Sequence, residues 1–338
     1  MLPALHYPTT VLLIDDDLAF LQNLSLHLDP SLCYKLFDSA REALSFIHAQ
    51  QDVARHTGLL DEAVLRVGYH DEQPDLSQRS IHLALNKVHH TIYNPRRFSE
   101  IAAIVVDYAM PEMNGLELCT KLTQSSIRRI LLTGEADAMV GVEAFNVGLI
   151  HHFLKKQTTT IVPQLNLAIA QMRQQHLNSK GLLLSQVLNM ADIGFLSDSS
   201  FKALIAQLMA QHYFIEYYFL ANPDGLLFLR ADGSAMRLVV ETGAGMQAHI
   251  EAAQAGGAPA ALLEALQKKQ VVPFFWRSGG MYTEASFDWE ADVLPAQCSV
   301  GQQIYYWGLS PVVEPTIALN KIYTFNDFTQ RRPFTEAA

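Results

Sequence analysis

Four short fragments, far apart in the chain, limit what it can fold into: VLLIDDD at 11–17, IVVDYAMPEMNG at 104–115, ILLTG at 130–134 and FLKK at 153–156. Each of the first three is an apolar run that ends in a polar residue. Strands buried on both faces read this way, and in an open parallel sheet they deliver their last side chains to the carboxyl edge, where ligands bind. The expected core is therefore a doubly wound α/β sheet with its chemistry on one rim.

Three carboxylates meet at that rim. Asp15 and Asp16 follow the first strand and Asp107 ends a later one. Crowded acids repel one another unless a cation offsets their charge, and an all-oxygen set suits a hard divalent ion such as Mg2+. Thr133 adds a hydroxyl and Lys156 a point positive charge, the two groups needed to hold the remaining oxygens of a phosphoryl group on Asp107. The set reads as a carboxylate nucleophile prepared for phosphorylation. An apolar run ending in Asp is common in parallel sheets, a Thr-Gly pair is usually turn chemistry, and adjacent lysines usually form a solvated face. Their joint order and strand context carry the reading.

Over residues 9–50 and 100–175 these fragments resemble the receiver domains of two-component response regulators. By position, the resemblance implies that Asp15 and Asp16 are the acidic metal-binding pair and Asp107 the phosphoacceptor. The backbone carbonyl of Ala109 would be a further metal ligand, Thr133 the switch hydroxyl, Lys156 the phosphate-binding lysine and Phe153 the switch aromatic. MPEMNG after Asp107 fits the turn into the next helix, with Gly115 relaxing the backbone. The implied fold is a flavodoxin-like (βα)5 unit. Two departures stand out. Gln157 follows Lys156 where the family has proline, which leaves Lys155 as the alternative phosphate contact. The stretch from Asp15 to Asp107 also exceeds what two βα units need, placing an insert at about 51–99.

Periodicity fills in the rest. Leu18, Leu21, Leu24 and Leu28 form a helical stripe ending before Asp29-Pro30, CYKLFD reads as a strand, and Ser39 caps the next helix. Segments 116–124 and 137–146 are crossover helices, and a long amphipathic helix follows Lys156. In the insert, 59–69 and 76–95 read as an antiparallel helical pair with Ser77 as N-cap and Pro95 as stop. His56, His70, His82, His89 and His90 lie there, but no two are spaced i, i+4 and no cysteine accompanies them, so a packing surface is preferred to a metal site. The domain reading is a receiver over 1–175, a linker helix over 176–194 and an α+β output domain over 195–338. In the last, β-rich runs separated by NPDG and ADGS turns predict an antiparallel meander, followed by two alanine-rich helices and further strands. The aromatic residues Phe274, Phe275, Trp276, Tyr282, Phe287, Trp289, Tyr305, Tyr306 and Trp307 line either a core or a pocket, with core preferred.

Composition excludes several classes. No run approaches the ~18 apolar residues of a membrane span and no leader precedes residue 10, so a cytoplasmic protein is expected. Cys33, Cys119 and Cys298 are scattered and odd in number, which predicts reduced, buried thiols. The net charge is −10, and residues 181–338 hold nine Lys or Arg against fifteen Asp or Glu. DNA binding by the output domain is therefore not favoured, despite small basic spots at Lys268-Lys269 and Arg331-Arg332. No enzyme signature is evident. The receiver implies a sensor histidine kinase or phosphotransfer protein as partner and a homodimer on phosphorylation. The whole architecture is similar to that of quorum-sensing response regulators known from Legionella. Ala109 offers no polar side chain to orient water, which predicts slow self-dephosphorylation unless Glu135 assists. Two alternatives stay open: a phosphorylation-independent protein-interaction scaffold, and a receiver-regulated output that binds nucleotides or nucleic acid.

Overall fold

A computed structural model describes residues 2–29, 32–57, 65–69, 79–83, 85–122, 126–134, 138–158, 160–190, 194–283 and 288–330. The chain divides into two compact units, one of Tyr7–Leu59, Pro95–Gly181 and Asn326–Ala338, the other of Met1–His6, Leu60–Asn94 and Leu182–Phe325.

The first unit is built on five parallel strands in the spatial order Cys33–Phe37, Thr10–Ile14, Ile101–Asp107, Arg128–Thr133 and His152–Lys155. All seven residues of Ile101–Asp107 are buried, as its unbroken apolar run requires. Alternation then sorts the side chains. Leu12, Ile14, Ile104 and Val106 face one layer, where Ala43, Ile47, Leu118 and Ala144 from the helices Ala40–Thr57, Gly115–Lys121 and Ala138–Asn146 pack. Val11, Leu13, Ala103 and Val105 face the other, against Leu21 and Leu24 of Leu18–Ser25 and Leu165, Ile169 and Met172 of Ile161–Met190. This is a doubly wound, flavodoxin-like sheet whose order reverses beside the Thr10–Ile14 strand, which makes a crevice at its carboxyl end.

Local chemistry starts the helices where the site needs them. The Asp17 carboxylate accepts the Phe20 amide at 2.9 Å and the Asn114 side chain accepts the Glu117 amide at 2.9 Å, so the loops after the first and third strands each turn into a capped helix.

The second unit holds a six-stranded antiparallel sheet in the order Leu5–His6, Glu216–Leu220, Gly225–Leu229, Ala235–Thr242, Ile304–Pro311 and Gln297–Val300. Its meander follows the predicted turns. The strand formed by Leu5–His6 has no signal in the sequence, because two residues are too short for any period to be read. Phe274, Phe275, Tyr305 and Trp307 are buried, which supports the core reading for these four; Phe287 lies outside the described residues.

Two expectations are corrected. The insert does not form a helical pair: Leu65–Tyr69 and Arg79–Leu83 make an antiparallel two-stranded sheet, and Leu85–Tyr93 is a 3-10 run. The register sets Leu65 opposite Leu83 and Val67 opposite Ile81, so apolar alternation outweighed the helical stripe that the same residues offer. Ser77, His56 and His70 lie in stretches whose placement or side chains are not among the described residues, while His89 is buried and His90 exposed. Of the cysteines, Cys33 and Cys119 are buried, with burial pushing both thiols up to about 12, whereas Cys298 is exposed on the terminal strand Gln297–Val300.

Candidate functional site

The carboxyl rim of the parallel sheet gathers the acids. One oxygen from each of Asp15, Asp16 and Asp107 lies within 4.8 Å of the others. Asp15 is fully buried and Asp107 is 4% exposed, while Asp16 faces solvent. Lys156 reaches back from the end of His152–Lys155 and sets its ammonium between two of them, 2.7 Å from Asp15 Oδ2 and 2.9 Å from Asp107 Oδ1. Lys155, by contrast, is exposed at the strand end. Gln157 does not prevent this geometry. The peptide after Lys156 is trans, and the cis bond among the described residues is at Asn222-Pro223.

Electrostatics of the site follow from burial and charge. Burial pushes the Asp15 carboxyl above its usual pKa, and Lys156 and the Asp17 amide, 3.1 Å from Asp15 Oδ1, offset only part of that. For Lys156 burial acts downward, but contact with Asp15 and Asp107 outweighs it and holds the ammonium above the ordinary lysine range. Asp15 Oδ2 is buried and has the Lys156 ammonium as its neighbour at 2.7 Å. A trio of carboxylates, with no nitrogen or sulfur donor among them, fits a hard divalent cation.

A pH dependence follows. A raised Asp15 pKa means that the folded chain binds this proton more readily than the unfolded one, so its contribution to stability grows as pH falls from neutral through the raised value. Asp15→Asn should remove that slope and, without divalent cation, raise the melting temperature, because a carboxylate whose charged form burial disfavours is gone. Thermal melts of both proteins across the acidic range check this.

The remaining predicted residues sit around this centre. Thr133 is fully buried, its hydroxyl donating to the Leu154 carbonyl at 3.4 Å, long for an O–H donor, so it is weakly held and can be redirected. Its carbonyl accepts the Lys156 amide at 3.0 Å, tying Thr133 and Lys156 to one strand end. Phe153 is half-buried, its ring 6.3 Å from that of Phe145. Gly141 lies beside both: a Cβ there would be 3.2 Å from the Phe153 ring and 3.5 Å from the Thr133 methyl. The Ala109 amide donates to Asp107 Oδ2 at 3.2 Å, so this residue restrains the Asp107 carboxylate through its nitrogen, besides any ligand role of its carbonyl. Glu135 lies outside the described residues.

Two contributors escaped the sequence reading. Phe20 sets its ring 4.9 Å from the Lys156 ammonium. Its only signal is an aromatic in the first turn after IDDD. Gly141 carries no signal, since its closeness to Thr133 and Phe153 arises in three dimensions.

Comparison with known proteins agrees with this geometry. Residues 85–165 match the family described as the response regulator receiver domain, a span that includes Asp107, Thr133 and Lys156. No curated protein matches the chain. Among solved structures, the response regulator LqsR of Legionella pneumophila is similar at 29% identity, over 97% of this chain and 95% of that one, with a TM-score of 0.78. A response regulator receiver domain protein from Clostridium thermocellum covers 52% of this chain and 98% of its own at 18% identity and a TM-score of 0.32, which carries no weight for function. An acidic crevice bridged by a lysine, on a sheet of this order and within a chain that parallels LqsR almost end to end, supports a response regulator related to LqsR, with the receiver-domain match falling mainly in its first unit.

Proposed function

We propose that this chain is a phosphorylation switch in a two-component relay. Asp107 accepts a phosphoryl group from the phosphohistidine of a sensor kinase or phosphotransfer protein: its carboxylate oxygen bonds to phosphorus in line as the P–N bond breaks, and the departing imidazole takes up a proton. Bound at Asp15, Asp16 and Asp107, with the Ala109 carbonyl as a further ligand, Mg2+ would neutralise charge developing on the phosphoryl oxygens. Lys156 leaves its present position between two acids to pair with the new phosphate, and the weakly held Thr133 hydroxyl turns toward it. The observation that carries this reading is the ammonium of Lys156 lying within 3 Å of both Asp15 and Asp107.

The signal leaves through the helix Ala138–Asn146. Gly141 brings it against Thr133 and Phe153, so movement of either side chain is felt there. Beside Gly141 it exposes Met139 at 69% and Phe145 at 48%, with Val147 just beyond at 78%, an apolar set suited to a second copy of the chain. Phosphorylation then shifts the population toward a homodimer. The chain acts as a regulator rather than an enzyme, its only chemistry being its own aspartyl phosphate. Hydrolysis of that phosphate is slow, since Ala109 offers water no partner. A cytoplasmic site of action fits a partner kinase, and among the described residues no helix is long and apolar enough to cross a membrane. Control of gene expression through quorum sensing extends this reading and rests on the resemblance of the whole architecture.

Light scattering with and without beryllofluoride and Mg2+ tests the switch. The expected result is a doubling of the mass with the mimic bound. An unchanged mass with the fluoride demonstrably bound at Asp107 favours the constitutive scaffold instead.

A further inference from the structure

We infer that Phe20 is a positioning residue for the phosphorylation site, its ring holding the ammonium of Lys156 between Asp15 and Asp107 in the unphosphorylated chain. This rests on the switch reading above and adds to it a residue that controls the lysine.

Four contacts close a ring. The Asp17 amide donates to Asp15 Oδ1 at 3.1 Å, and the Phe20 amide donates to the Asp17 carboxylate at 2.9 Å. The Phe20 ring lies 4.9 Å from Lys156 Nζ, and Nζ lies 2.7 Å from Asp15 Oδ2. The loop carrying two of the acids, the first turn of the helix Leu18–Ser25 and the lysine arriving from the far strand are thereby fixed as one unit. Each link has its own cause. The cap is set by Asp17 at the helix start, and that cap fixes where Phe20 falls on the helix.

An ammonium has three N–H bonds. Asp15 and Asp107 face two directions, and the ring face, within the ~6 Å reach of a cation–π contact, covers a third. With a side chain 23% exposed, Lys156 would otherwise turn that side to water and exchange freely between the acids and solvent. Phe20 itself is anchored, since it packs against the apolar layer of Leu21, Leu24 and Leu165. An aliphatic side chain of similar size would keep that packing and lose the ring's negative face.

The test measures how readily Lys156 reacts, in the full-length unphosphorylated chain, with a trace of acetic anhydride, read by peptide mass spectrometry against the exposed Lys155. Phe20→Leu should raise the relative reactivity of Lys156 about fivefold, the loss expected for a partly desolvated cation–π contact. Phe20→Trp should stay at or below the wild-type value. Phenylalanines carrying one, two and three ring fluorines at position 20 should raise it in steps, because fluorination drains the ring face with little change of shape. Wild-type reactivity in Phe20→Leu, or no trend along the fluorine series, would overturn the inference. Acetyl phosphate labelling of the same wild-type preparation is a separate readout: its failure would remove the phosphoacceptor assignment while the Lys156 ratios still stood.

Discussion

Replacing Asp107 with Asn is expected to cut labelling by acetyl phosphate about a hundredfold or more, to background. The amide oxygen is a poor nucleophile toward phosphorus, and the change also takes one charge from the cation site. The fold should survive. Asn has the same shape, Lys156 still faces Asp15 at 2.7 Å, and the buried strand Ile101–Asp107 keeps its ladder. The variant should therefore melt at or above the wild-type temperature while losing the label, which separates lost chemistry from lost structure. A labelled Asn variant would show that another carboxylate accepts the phosphoryl group.

Gly115→Ala is expected to cost about 3 kcal/mol of stability and to lower phosphorylation at least tenfold. A Cβ at this position would fall inside contact distance of the Asp107 backbone carbonyl and 3.0 Å from Leu131 Cδ1. Neither neighbour can yield: the carbonyl belongs to the central strand and Leu131 is fully buried. The Gly115 amide also donates to the Tyr108 carbonyl at 3.1 Å, so a displaced helix start pulls on the loop that follows the acceptor. Denaturant unfolding and acetyl phosphate labelling measure both effects. A variant as stable and as active as the wild type would contradict the close approach.

Much of the receiver was legible because its signals are local. VLLI, IAAIVV and ILL are apolar without interruption, so burial on both faces and a parallel sheet follow, and they end at Asp15, Asp107 and Thr133. Asp17 and Asn114 are cap residues at the places where the helices begin. The insert was misread because Ile81, Leu85, Val88 and Ile92 satisfy a helical period while Leu65, Val67 and Tyr69 alternate, and only the pairing with Arg79–Leu83 decides between them. Phe20 went unremarked for a related reason. Its part depends on a lysine that lies far along the chain, and no spacing of residues encodes that meeting. The second unit yields its sheet from turn chemistry, yet its task stays unwritten in the sequence, since its aromatic residues Phe274, Phe275, Tyr305 and Trp307 are spent on the core.

The most direct test is to treat the full-length chain with acetyl phosphate and Mg2+, reduce it with borohydride and locate the product by peptide mass spectrometry. The account predicts homoserine at position 107, absent when Mg2+ is withheld. Reduction product at a different carboxylate, or none at 107 in folded protein, would contradict it.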